Sequence, residues 1–160
     1  MSQQTTIAPV RQSVVVQAPI GHAFEVFTTG FDRWWPRGHH LLDADLAEAV
    51  IEPRAGGRWY ERSADGGECD WGRVLVWEPP HRLILRWAIG STFEQPADPT
   101  RGSEIEVLFT AEGPGTTLVT LEHRGFELHG DDGQAVRDAV SREGGWRSLL
   151  TAYAAEAAAA

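Results

Sequence analysis

The spacing of hydrophobic positions changes character several times along the chain. "RQSVVVQAP" (11–19) is a β-rich run that Pro19 ends. From Ile20 the spacing turns helical, with Ile20, Ala23, Phe24, Phe27 and Phe31 near one face. Pro19 suits the first turn of that helix and Gly30 its end. "FDRWW" (31–35) predicts a second short helical turn, closed by Pro36.

After Leu46 the pattern is that of strands. "LAEAVIEP" is one, and "RAGGRWYERS" follows a Gly-Gly bend. "ADGG" is a hairpin turn into "ECDWGRVLVWEPP", which Pro79 and Pro80 stop. "HRLILRWAIG" places Leu83, Leu85, Trp87 and Ile89 on one face, with Arg82 and Arg86 on the other. A long connection, "STFEQPADPTRG", leads to "SEIEVLFTAEG", where Ile105, Val107 and Phe109 oppose Glu104 and Glu106. "PGT" turns the chain into "TLVTLEHRGF", with Val119, Leu121 and His123 on a shared face.

From Gln134 the period is helical again, through Ala139, Glu143, Trp146, Leu150, Tyr153 and Ala157. Gly144 and Gly145 interrupt it. Two glycines inside a helix cost about 2 kcal/mol relative to alanine, which close approach of a strand or ligand would offset. The spacing therefore predicts an α+β fold. One curved antiparallel sheet of six or seven strands surrounds a long C-terminal helix from about Gln134 to Ala157, with two short helices after the first strand. One helix is a narrow cover for such a sheet, so a cavity between them is expected. The expected organisation is a single domain over residues 1–160, with residues 1–9 a disordered N-terminus.

Composition narrows the chemistry. The formal charge is −9, and all fourteen basic residues are arginine. No lysine is present for a Schiff base or a P-loop. The acidic balance argues against nucleic acid and anionic membrane as partners. The single cysteine, Cys69, has no intrachain partner for a disulfide and stands between Glu68 and Asp70, whose charges disfavour a thiolate. With no leader pattern and no apolar run of membrane-spanning length, a cytoplasmic protein is expected. Seven tryptophans are the outlier, since their faces need burial or a ligand.

The segment "EPRAGGRWYERSADGGECDWGRVLVWEPPHRLILRW" resembles the core signature of the SRPBCC superfamily. Its Gly-Gly-Arg-aromatic strand start, Asp-Gly turn, Gly-x-Val strand and Pro-Pro bend are similar to the branch of the ATPase activator of the ninety-kilodalton heat-shock chaperone. "LEHRGF" and the later "GGW" match as well, so the resemblance spans roughly residues 11–155. It implies a START-like helix-grip fold with a deep, mostly apolar cavity. Members include ligand carriers, polyketide cyclases and aromatases, and chaperone regulators, so the fold does not select among them.

"DRWWPRGHH" (32–40) admits three readings: a metal site with Asp43 or Asp45, plain core packing, or a cavity mouth. Adjacent histidines point apart, and no HExxH or Cys/His framework accompanies them, which disfavours metal. The favoured reading turns one tryptophan inward and puts the other at the mouth with His39 and His40. Trp59, Trp71, Trp87 and Trp146 read equally as core or as an aromatic cavity wall. His123 should enter the interior, as a satisfied core group or a ligand contact. Glu143, on the helix stripe, would need a partner such as Arg124, Arg142 or a ligand.

The candidate ligand-binding set is Phe27, Trp35, His39, Trp59, Trp71, Trp87, Phe109, His123, Trp146 and Leu150. No catalytic residue, metal or cofactor is assigned. The expected function is binding of a small hydrophobic or aromatic ligand, as carrier or sensor. Two alternatives stand beside it: a cyclase- or aromatase-like enzyme using His123 and a cavity carboxylate, and a chaperone-ATPase regulator acting through its surface. A homodimer is compatible with all three.

Overall fold

In the computed structural model, which describes residues 7–142 and 145–159, the meander closes on the N-terminal strand. The strands are β1 (Val10–Val16), β2 (Leu46–Ile51), β3 (Arg58–Ser63), β4 (Glu68–Glu78), β5 (Arg82–Trp87), β6 (Ser103–Gly113) and β7 (Thr116–Arg124). They form one sheet in the order β1-β7-β6-β5-β4-β3-β2, with every neighbouring pair antiparallel. Alternation decides the faces: Ile105, Val107 and Phe109 of β6 are buried, as are Val119, Leu121 and His123 of β7.

The opposite face carries charge. Arg82 and Arg124 both bond to Glu106, at 2.7 and 2.8 Å, and Arg124 and Arg11 both reach Glu122, at 2.9 and 2.8 Å. These cross-strand pairs tie β5, β6, β7 and β1 together on the solvent side. Bulges curve the sheet. One of them makes Trp71 an extra residue of β4, between the Trp59–Gly72 and Tyr60–Asp70 pairs.

Helices α1 (Ile20–Phe27) and α2 (Phe31–Trp34) follow β1 as the spacing predicts. Pro19 stands just before α1, as its cap. A 3-10 segment, Phe126–Asp132, starts after Gly125, whose φ of 74° is left-handed. The apolar periodicity gave no sign of it.

The expected single helix from Gln134 to Ala157 is corrected to two, α3 (Gly133–Ser141) and α4 (Trp146–Ala159). Arg142 leaves the helical conformation, and the Gly145 N–H bonds back to the Arg142 carbonyl at 2.9 Å. A Cβ on Gly145 would lie 2.1 Å from the Val140 carbonyl oxygen, so this turn admits only glycine. The chain breaks the helix instead of carrying the glycines inside it. Glu143 and Gly144 lie outside the described residues, as does most of the expected N-terminal disorder. Within that segment, Ile7 packs against the core and Arg137 Nε–H bonds to the Ala8 carbonyl at 2.7 Å.

The core fills the space between sheet and helices. Tyr153 of α4 donates its hydroxyl to the Ala23 carbonyl of α1 at 2.6 Å. Burial pushes that phenol well above its ordinary pKa. Phe27 meets Trp34, Phe109 and Tyr153 edge-on or tilted, with ring centroids 5.1–5.9 Å apart.

Candidate functional site

A cavity of about 580 Å3 lies beside the ends of α3 and α4, lined there by Ala139, Val140, Arg142, Gly145 and Trp146. Its wall is aromatic: Trp35, Trp71, Trp87 and Trp146 face it. Local structure aims each indole. The β4 bulge turns Trp71, which meets Trp35 at 5.2 Å between centroids. Trp35 comes after the end of α2 with extended backbone, stacks on Phe31 at 4.8 Å, and donates its indole N–H to the His39 carbonyl at 2.8 Å. Trp34 turns the other way and donates to the Val26 carbonyl at 2.9 Å, inside the core. The mouth is formed by His39, His40, Phe93 and Arg142. Phe93 is half-exposed and holds a positive φ of 55°, an unusual conformation for a residue with a side chain.

Two buried polar groups hold this wall in place. Glu61 of β3 is fully buried, and its carboxylate accepts the Leu41 N–H at 2.5 Å, the Leu42 N–H at 3.2 Å and the Trp71 indole N–H at 2.8 Å. It thus clamps the mouth loop and a wall indole to one strand. The second group is His123, also fully buried. Trp146 Nε1–H donates to His123 Nδ1 at 2.9 Å. An indole can only donate, so Nδ1 carries the lone pair and Nε2 the hydrogen. Nε2–H then donates to Ser103 Oγ at 2.6 Å, and the Ser103 hydroxyl has two acceptors within reach, His129 Nε2 at 2.9 Å and the Trp87 carbonyl at 3.4 Å. His129 Nε2 also accepts the Ser103 backbone N–H at 3.1 Å. The chain runs in one direction because its first donor is fixed.

Burial, reinforced by nearby His129, pushes the His123 pKa well below its ordinary value, and burial lowers that of His129. Both rings therefore take up protons less readily when folded than when unfolded. The unfolded state binds more protons below about pH 6.5, so stability is full above that pH and falls as the pH drops through it. The expected loss approaches about 1.4 kcal/mol per pH unit for the buried His123 while only the unfolded state is protonated, and the half-buried His129 adds to it in the same direction. Urea denaturation from pH 7.5 downward checks it. His123→Gln should flatten the slope, and an unchanged slope would remove His123 as its cause.

Of the ten residues expected from the sequence, Trp35, His39, Trp71, Trp87 and Trp146 line the cavity. Phe27, Trp59, Phe109, His123 and Leu150 are buried in the core behind it. His123 thus acts through Trp146, as the acceptor that orients that indole. Sequence reasoning missed Glu61, Ser103 and His129. Glu61 was within reach, because it stands two residues from Trp59 on the same strand. Ser103 and His129 carry no such signal, since only the paired strands and the 3-10 segment bring them to His123. Among the described residues no three His, Cys, Asp or Glu side chains gather as a metal site requires. Burial and the charges of Glu61 and Asp70 push the Cys69 thiol up to about 11.

This half-closed sheet, gripping a C-terminal helix over an aromatic cavity, has known counterparts. The model of the family described as "Activator of Hsp90 ATPase homolog 1-like protein" matches residues 17–157. The chain belongs to this family, within the SRPBCC superfamily. Among solved structures, the chain is similar to an anthrahydroquino-γ-pyrone synthase, Txn09, complexed with a ligand abbreviated SUM. The two share 42% identity over 94% of this chain and 97% of that one, with a TM-score of 0.65. It is also similar to CalC from Micromonospora echinospora, a self-sacrificing resistance protein, at 29% identity over 93% of each chain and a TM-score of 0.67. Bacillus halodurans protein BH1534 shares the fold at 20% identity and a TM-score of 0.62, covering 97% of this chain and 99% of that one. No curated protein matches the chain. No described helix is long and apolar enough to cross a membrane.

Proposed function

We propose that this family member binds a planar, fused-ring aromatic molecule in the cavity beside the α3–α4 break. The observation that carries this reading is the wall of four indoles, Trp35, Trp71, Trp87 and Trp146, around a single space. Its volume of about 580 Å3 lies within the range of small-molecule sites. Flat aromatic faces suit offset or edge-on contact with other rings. A flexible fatty acid would gain only apolar burial there. Glu61 and His123 fix the orientation of Trp71 and Trp146, so the wall is organised before a ligand arrives.

Tryptophan fluorescence tests the reading. Titration with fused-ring aromatics should give saturable quenching, and Trp35→Leu should weaken the apparent affinity about tenfold, the loss of one well-placed aromatic contact. Equal or stronger binding of saturated fatty acids would overturn the aromatic preference.

A second reading makes the chain a ring-closing enzyme on such a molecule. Its support is the 42% identity, across nearly the whole length, with a protein named as a pyrone synthase. Chromatographic detection of a ring-closed product from a hydroxylated aromatic polyketide, formed only with protein present, separates enzyme from carrier.

A further inference from the structure

The wall of the cavity is apolar, and the described charged side chain at its mouth is a cation, Arg142. In a chain of formal charge −9, His39, His40 and Arg142 line the mouth, and no carboxylate does so among the described residues. Other arginines sit in carboxylate networks: Arg58 with Glu68 and Asp70, Arg82 with Glu78 and Glu106. Arg142 pairs with no carboxylate among the described residues, and its Nε–H reaches the Ala139 carbonyl at 3.4 Å.

His40 is held in one tautomer. Its Nδ1 lies 2.6 Å from the Leu42 carbonyl oxygen. A carbonyl only accepts, so Nδ1 carries the hydrogen and the neutral ring keeps its lone pair on Nε2. The loop cannot easily swing away, because the buried Glu61 carboxylate holds the Leu41 and Leu42 N–H groups. The mouth therefore offers an imidazole lone pair and a guanidinium that no described carboxylate pairs, over an aromatic wall.

This pair selects among polar ligand groups. An amine would be repelled by Arg142. A carboxylic acid is already ionised at neutral pH and leaves the His40 lone pair unmatched. A phenol satisfies both, donating its hydrogen to Nε2 and placing its charge, once ionised, near the guanidinium. We propose that the cavity takes hydroxylated fused-ring aromatics and binds them as phenolates, with the proton on His40 Nε2 and the anionic oxygen held at the Arg142 side of the mouth. The O–H bond breaks, an N–H bond forms, and the electron pair stays on oxygen. No other reactant is needed.

The inference rests on the aromatic-ligand reading above and supplies the polar half of the ligand. Titratable groups near His40 come from its own loop, from β3 and from the end of α3. His39 is its exposed neighbour, and Arg142 comes from the end of α3. The oxygens of Glu61 are engaged by Leu41, Leu42 and Trp71, and Asp43 and Asp45 continue the loop on its exposed side. From β4, β5 and α4 the lining is Trp71, Trp87, Trp146 and Leu149, which bring no charge.

Alizarin, a dihydroxyanthraquinone whose visible band moves to longer wavelength when a phenol ionises, is the probe. Its ionisation is titrated free and with protein in excess, while tryptophan quenching reports binding independently. The bound dye should ionise about one pH unit or more below the free dye, a tenfold change in the phenolate-to-phenol ratio at a given pH. His40→Gln should return the midpoint to the free value or above it while quenching persists, and Arg142→Gln should move it part of the way. Quenching with an unmoved midpoint, or a shift that both variants leave intact, overturns the phenolate inference and leaves the aromatic cavity standing. No quenching by alizarin or by unsubstituted anthraquinone overturns the cavity reading and this inference with it. If His40→Gln abolishes quenching, Arg142→Gln decides alone: a reduced shift supports the phenolate, and an unchanged one overturns it.

Discussion

Replacing Trp87 with alanine should cost about 3–5 kcal/mol of stability and enlarge the cavity. Trp87 ends β5 with its indole inside, where it meets Trp59, His123 and Trp146 at centroid distances of 5.4, 5.9 and 6.2 Å. Truncation removes one face of each contact. Ser103, Trp87's partner across β5 and β6, keeps its bonds to His123 and His129. The damage should therefore concentrate at the cavity wall and spare the sheet. Urea denaturation gives the loss directly, and Trp87→Phe should recover most of it. A loss under about 1 kcal/mol would mean that the indole is poorly packed and that the wall is not pre-organised.

Removing the Glu61 carboxylate is the second large effect. Glu61→Leu keeps the bulk but leaves the N–H groups of Leu41, Leu42 and Trp71 without their acceptor. Bonds to a charged group contribute about 1.5–3 kcal/mol each, and the mouth loop can recover part of that by turning to water. A net loss of about 2–4 kcal/mol is expected. It should come with faster amide exchange at Leu41 and Leu42 and weaker binding of fused-ring aromatics. Glu61→Gln retains one acceptor oxygen and should lose less. Unchanged exchange at Leu41 and Leu42 would show that the loop is held by something other than this carboxylate.

The sheet and its inner face are legible in the order of residues alone. Alternation in "HRLILRW" and "TLVTLEH", interrupted by Ile84 and Leu118, still favours one set of side chains to bury, because a shift by one residue would turn Leu83, Leu85, Trp87, Val119 and Leu121 outward. The same alternation put Trp87 and His123 inside, where both are found. The helix break was written as Gly144–Gly145, but propensity assigns such a pair only a cost. Whether the helix absorbs it or stops depends on the backbone around Val140 and Arg142, which no periodicity reports.

The cavity itself was decided by tertiary structure. Ten residues have the composition of an aromatic site, yet five face the space and five stand behind it. Trp59 and Trp71 are alike in type, and a one-residue bulge in β4 makes Trp71 a wall while Trp59 stays core. Side-chain direction at a bulge is set by strand pairing, and pairing joins residues distant in sequence. The same holds for the roles of the histidines. His123 is fixed by Trp146 and Ser103, twenty or more residues away in the chain. His40 is fixed by a carbonyl two residues on, in a loop that a distant buried carboxylate holds. Residue type supplied the imidazoles, and hydrogen bonds made in the folded chain, distant for His123 and local for His40, decided which nitrogen each one offers.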